Sequence, residues 1–79
     1  MAFMINEHDD VVLTEDVPTE ELKAGDIGTV VHIHAKGEAY EVEFIYLDGE
    51  TIAVVTLKAN QVRSIKTGEI AHARELASR

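Results

Sequence analysis

The chain predicts an all-β fold of five short strands, and three observations carry that prediction. β-Branched and aromatic residues gather in runs of four to nine, with alternating character in the longest of them. Glycine-containing turn signals separate those runs at hairpin spacing. The two hairpin turns agree on which residues of the third strand face inward.

In chain order, "DVVLTED" (10–16) is a short apolar run ended by polar residues and reads as the first strand. "VPTEELKAGD" (17–26) is a loop with one helical turn that Gly25 stops, and its single large apolar side chain, Leu22, is placed to plug the core. "IGTVVHIHA" (27–35), "AYEVEFIY" (39–46) and "TIAVVTL" (51–57) are the next three strands. "KANQ" is a 3₁₀ turn and "VRSI" (62–65) a fifth strand. The remaining residues, "KTGEIAHARELASR", have helical composition and a weak stripe of Ile70, Ala73 and Leu76.

Turn chemistry sets the expected register. Gly37-Glu38 suits a two-residue type II′ turn, which pairs Lys36 with Ala39, His34 with Glu41 and His32 with Glu43. Asp48-Gly49 is a type I′ signal that pairs Tyr46 with Thr51, Phe44 with Ala53 and Val42 with Val55. Both turns send Tyr40, Val42, Phe44 and Tyr46 inward. On the second strand Ile27, Val31 and Ile33 are then expected inside, and on the fourth Ala53, Val55 and Leu57. That leaves Val30, Ile45, Ile52 and Val54 outside, an apolar patch of the kind that marks a contact surface. The tail, the N-terminal Phe3-Met4-Ile5, a second copy or another protein are its candidate covers.

Strand, long loop, three-strand meander, 3₁₀ turn and closing strand is the order of a small SH3-like barrel, and closure would protect edges that so short a chain cannot otherwise cover. The expected organisation is a five-stranded SH3-like barrel over 1–65, followed by a C-terminal tail, 66–79, helical and packed on the barrel.

"VVLTED-P-EELKAGD-GTVVH", "AYEVEF", "DGET-AV-TL" and "EIAHAREL", which together cover residues 5 to 77, resemble a family of small bacterial proteins known only as a domain of unknown function. The resemblance implies a stand-alone SH3-like domain and assigns no catalytic residue. "KAGDIGTVVHI" also resembles the KOW-type element of ribosomal and transcription-factor small barrels, where basic residues beside the glycine turn contact RNA. Here Gly25 and Gly28 are kept, but Lys23 is the single base nearby. A close-packed bend accounts for both glycines without RNA.

Charge restricts the function further. The chain carries a formal net charge of −8, and residues 1–57 hold 13 acids against Lys23 and Lys36. Residues 58–79 are basic, with Lys58, Arg63, Lys66, Arg74 and Arg79 against Glu69 and Glu75. An acidic body repels phosphate and attracts a basic partner. There is no cysteine, and Ser64 and Ser78, the two serines, have no nucleophile elbow or glycine-rich oxyanion loop beside them. "GDIG" lacks the strand-to-helix setting of a phosphate loop. His32 and His34 share an outward strand face on which Glu41 and Glu43 could complete a metal site, or form an ion-pair ladder without metal. The ladder is the simpler expectation, and no cofactor is expected.

No apolar run approaches the ~18 residues that cross a bilayer, and "MAFMINEHDD" does not read as a signal peptide, so a cytoplasmic location is expected. The function these features favour is a non-enzymatic protein-interaction domain that binds a basic protein or a second copy, for example an antitoxin or immunity-type protein against a basic toxin. The alternative is a KOW-like nucleic-acid-binding barrel.

Overall fold

A computed structural model describes residues 4–77. Phe3, Ser78 and Arg79, named above, lie outside the described residues. Five strands, β1 (Asp10–Leu13), β2 (Ile27–His34), β3 (Ala39–Ile45), β4 (Thr51–Lys58) and β5 (Val62–Ser64), form one antiparallel sheet in the order β4-β3-β2-β1-β5. Two 3₁₀ turns, Pro18–Glu20 and Ala59–Gln61, fall where the sequence placed them. β4 and β5 share no ladder, so the sheet is not closed into the expected barrel. β5 is three residues long and spends its pairing on β1, while the 3₁₀ turn separates it from β4.

Val11, Leu13, Leu22, Val30, Tyr40, Val42, Phe44, Leu57 and Val62 make the core, so every strand contributes to it. Burying each of these aliphatic side chains stabilises the fold by about 1.5–3 kcal/mol relative to exposure. Leu22 is held there by a bridge between Val17 and Leu22 that closes the loop around the first 3₁₀ turn.

The β3–β4 hairpin keeps the expected register at its centre, with Phe44 opposite Ala53 and Val42 opposite Val55. A bulge after Phe44 pairs Ile45, not Tyr46, with Thr51. The turn is one residue longer than a type I′ turn. Gly49 N–H bonds the Tyr46 carbonyl at 2.9 Å, Tyr46 N–H bonds the Glu50 carbonyl at 2.8 Å, and Gly49 sits at φ 100°. This is the three-residue loop that ends in a left-handed glycine.

The β2–β3 hairpin departs from the expected register. Ala35, Lys36 and Gly37 all have positive φ, and the loop runs over 35–38 in place of a two-residue turn. His34 therefore stands opposite Ala39 and His32 opposite Glu41. A second irregularity between Val30 and His32 changes which side chains face inward. Before it, Gly28 and Val30 point into the core; after it, Ile33 does. A bulge adds one residue to a strand and so reverses the alternation beyond it. Ile27 and Val31, expected inside, are exposed.

The tail forms no helix among the described residues. It is instead an irregular segment tied down by side chains. No helix of the described residues is long and apolar enough to cross a membrane.

Candidate functional site

The solvent face of β1 to β4 carries several paired polar side chains. Thr29 Oγ1 donates to Asp10 Oδ1 at 2.9 Å, Thr51 Oγ1 to Glu43 Oε2 at 2.7 Å, and Thr56 Oγ1 to Glu41 Oε2 at 2.7 Å. His34 Nε2 lies 2.7 Å from the same Glu41 oxygen, a diagonal contact, since Ala39 is the residue opposite His34. The Thr56 hydroxyl and then the His34 contact hold the Glu41 carboxyl below its ordinary value. His32 stands opposite Glu41 and not Glu43, and its Nδ1 lies 3.7 Å from Glu7 Oε2. The two imidazoles meet edge to face, their centroids 4.7 Å apart. Glu43 is thus committed to Thr51 and does not join the histidines, and no group of three or more metal-binding side chains is assembled among the described residues.

The four-residue apolar patch is halved. Val30 is in the core with 0% of its surface exposed, and Ile52 packs against the core from its edge, both consequences of the bulges in β2 and the β3–β4 pair. Ile45 and Val54 do lie outside, 52% and 54% exposed. Leu47, at the tip of the β3–β4 hairpin, joins them at 93%. The sequence offered no sign of Leu47, because a turn residue belongs to neither strand face.

Beside this hairpin runs a groove of about 330 Å³. Leu22, Ile27, Ile45, Leu47 and Ile52 line its body side, and the tail residue Leu76 lines the other. The tail reaches it through two arginine forks. Arg63, in β5, donates to both carboxylate oxygens of Glu69 at 2.9 and 2.7 Å, and Lys66 N–H donates to Glu69 Oε1 at 2.6 Å. The Arg63 fork, reinforced by that backbone N–H, brings the Glu69 carboxyl down to about 2 and raises Arg63. Further on, Arg74 donates from Nε to Asp26 Oδ1 at 3.0 Å, from its terminal nitrogen to Asp26 Oδ2, and to the Glu21 carbonyl at 3.0 Å. Burial opposes ionisation of Asp26, but the Arg74 fork, the Lys23 N–H at 2.8 Å and the charges of both residues hold it below its ordinary value. Arg74 is raised in turn by the Asp26 carboxylate.

These forks matter for the basic tail. Arg63 and Arg74, two of the five bases counted toward phosphate, are each engaged by a carboxylate of the chain itself. The KOW-like glycines are explained by packing and turn geometry. A Cβ on Gly28 would meet Val42 Cγ1 at 2.5 Å, and Gly25 turns at φ 96° while its N–H bonds the Leu13 carbonyl. Neither role involves a nucleic acid.

The fold and its site define an all-β protein of one five-stranded antiparallel sheet, with a polar outer face and an apolar groove at one hairpin. A family model described as Domain of unknown function (DUF4926) matches residues 7–64, and the chain belongs to that family. The match takes in all five strands and ends at the last residue of β5, leaving the tail outside. No curated protein and no solved structure matches the chain.

Proposed function

We propose that this protein is a non-enzymatic, SH3-like interaction domain that binds a basic protein partner in the cytoplasm. The strand order, with β5 beside β1 and a meander of β2 to β4, supports the SH3-like reading. The observation that carries the function is the exposure of Ile45, Leu47 and Val54 together on and beside one hairpin. Solvent-exposed aliphatics grouped on so small a protein favour contact with a partner. Glu43, Asp48 and Glu50 share that hairpin, which supplies the charge that steers a cationic partner and rejects an anionic one. An antitoxin or immunity-type protein facing a basic toxin is the specific form this reading takes.

Affinity capture with cross-linking, using the wild-type chain and Val54→Asp as parallel baits, tests it. A basic protein retained by the first, lost by the second and weakened by salt is the expected result. Identical captures by both baits would reject the hairpin as the contact. Salt-sensitive retention of RNA or DNA would favour the KOW-like alternative.

A further inference from the structure

The tail is held by only part of its length. Of the large apolar residues in 65–77, Ile65 and Ile70 stay in solvent, the latter 94% exposed, and Leu76 alone is withdrawn from it. Two residues before Leu76, Arg74 makes its fork to Asp26 and a further bond to the Glu21 carbonyl. The geometry suits a guanidinium and no other side chain, because a lysine ammonium cannot bond both carboxylate oxygens in plane while reaching a carbonyl. Asp26 is set for it beforehand, since Lys23 N–H fixes the carboxylate and Asp26 N–H closes the turn on the Lys23 carbonyl at 2.9 Å. Beyond that socket lies the groove of about 330 Å³, enclosed between Ile27, Ile45, Leu47 and Ile52 of the body and Ala71, Ala73 and Leu76 of the tail, near the lower end of the ~300–1,000 Å³ range of ligand pockets. The body thus presents an arginine socket and an apolar slot in fixed spacing. The segment that fills the socket with Arg74 and covers the slot with Leu76 has no regular structure and lies outside the family domain.

We propose that Asp26 and this groove form a peptide-binding site. Its partner is an extended segment of another protein, with an arginine followed two residues later by a bulky apolar side chain, and the tail occupies the site in cis as an autoinhibitory strap. The inference rests on the interaction-domain reading and names the chemistry of the partner and its control. Charge favours such a ligand, since the socket loop also carries Asp16, Glu20 and Glu21. The strap binds without helix or strand pairing, so its release breaks side-chain contacts and no ladder.

A tethered segment competes at an effective concentration of about 1 mM. A free peptide of ~0.1 mM intrinsic affinity is therefore weakened roughly tenfold by the strap. The probe is a fluorescein-labelled peptide reproducing residues 70–77, IAHARELA, titrated by anisotropy into two full-length proteins, wild type and Arg74→Ala/Leu76→Ser. The released variant should bind the peptide about tenfold more tightly than wild type. Replacing the peptide's arginine with lysine should remove most of that binding, an arm that leaves the protein unaltered. Equal binding by both proteins, no binding by a released variant that circular dichroism shows folded, or indifference to the lysine replacement would each overturn the proposal. Failure here leaves the bait comparison at Val54 standing, because Val54 does not line the groove.

Discussion

Gly28 of β2 stands so close to Val42 of β3 that a Cβ on the glycine would lie 2.5 Å from Val42 Cγ1. Phe44 Cε1 at 2.9 Å and the Glu43 carbonyl at 3.0 Å close the same space. Val42 is fully buried and cannot step aside without moving the core. Gly28→Ala should therefore cost about 1–3 kcal/mol, the range of overpacked cores. Gly25→Ala meets no atom within 4 Å but must hold φ at 96°, so its cost of ~1–2 kcal/mol is conformational. Urea melts of both variants, with Val42→Ala and the double variant Gly28→Ala/Val42→Ala to complete the cycle, separate the two causes. Relief of the Gly28→Ala penalty in the double variant identifies packing, and additivity would refute it.

Val30 and Val54 test which side of the sheet each strand presents. Aspartate at Val30 places an unpaired charge in a site with no solvent access, a cost of several kcal/mol. A domain of this size has about 4–12 kcal/mol of total stability, so Val30→Asp should leave little folded protein at 25 °C. Val54→Asp, on the open face, should stay within ~0.5 kcal/mol of wild type. Circular dichroism melts that rank them the other way would reverse the assignment of faces.

That pair also marks where the sequence was legible. Strict alternation through "TVVHI" puts Val31 inside and Val30 outside, and a single extra residue in β2 inverts the result. Nothing in a run of β-branched residues distinguishes the one that bulges. The β2–β3 turn was opaque for a related reason: Ala35 and Lys36 adopt positive φ at 47° and 59°, which composition assigns to glycine or asparagine. Asp48-Gly49, by contrast, fixed the centre of β3–β4, and the inward face of Tyr40, Val42 and Phe44 followed from it. The site was less legible than the fold. His34 and Glu41 do meet, but diagonally, through a register other than the one that suggested them. Arg74 and Asp26 lie 48 residues apart, and no local pattern links them.

Nucleic-acid binding is expected to be absent at physiological ionic strength. Non-specific affinity comes from cations free to displace counterions, and typical values lie at ~1–100 μM. Arg63 and Arg74 are instead committed to Glu69 and Asp26, and the rest of the chain is acidic. Filter binding against random RNA and duplex DNA over a salt series checks this. A micromolar complex that weakens steeply with salt would overturn it.

Acid should release the tail, and the sign follows from the two carboxylates that hold it. Glu69 lies at about 2 in the folded chain against an ordinary 4.5, and Asp26 lies below its ordinary 3.8. Each folded value is below the unfolded one, so each group's contribution is fully present above the unfolded value and is lost as pH falls. For Glu69 the loss spans the window from 4.5 down to about 2; for Asp26 it begins near 3.8 and continues below. The amides of Lys66 and Lys23, which donate to these carboxylates, report the two events separately in an NMR titration. Arg63→Gln should raise the Glu69 midpoint and leave Asp26 unmoved, while Arg74→Gln should do the reverse: burial pushes Asp26 up, and of the groups that lower each carboxyl its own guanidinium is the strongest. The strap adds a further consequence. If Arg74 and Asp26 hold Leu76 against the groove, the Arg74→Gln protein should already show, at neutral pH, the chemical shifts of Ile27 and Ile45 that wild type reaches only in acid. Shifts at those two residues that ignore both the substitution and the pH would mean that the fork and the groove are independent.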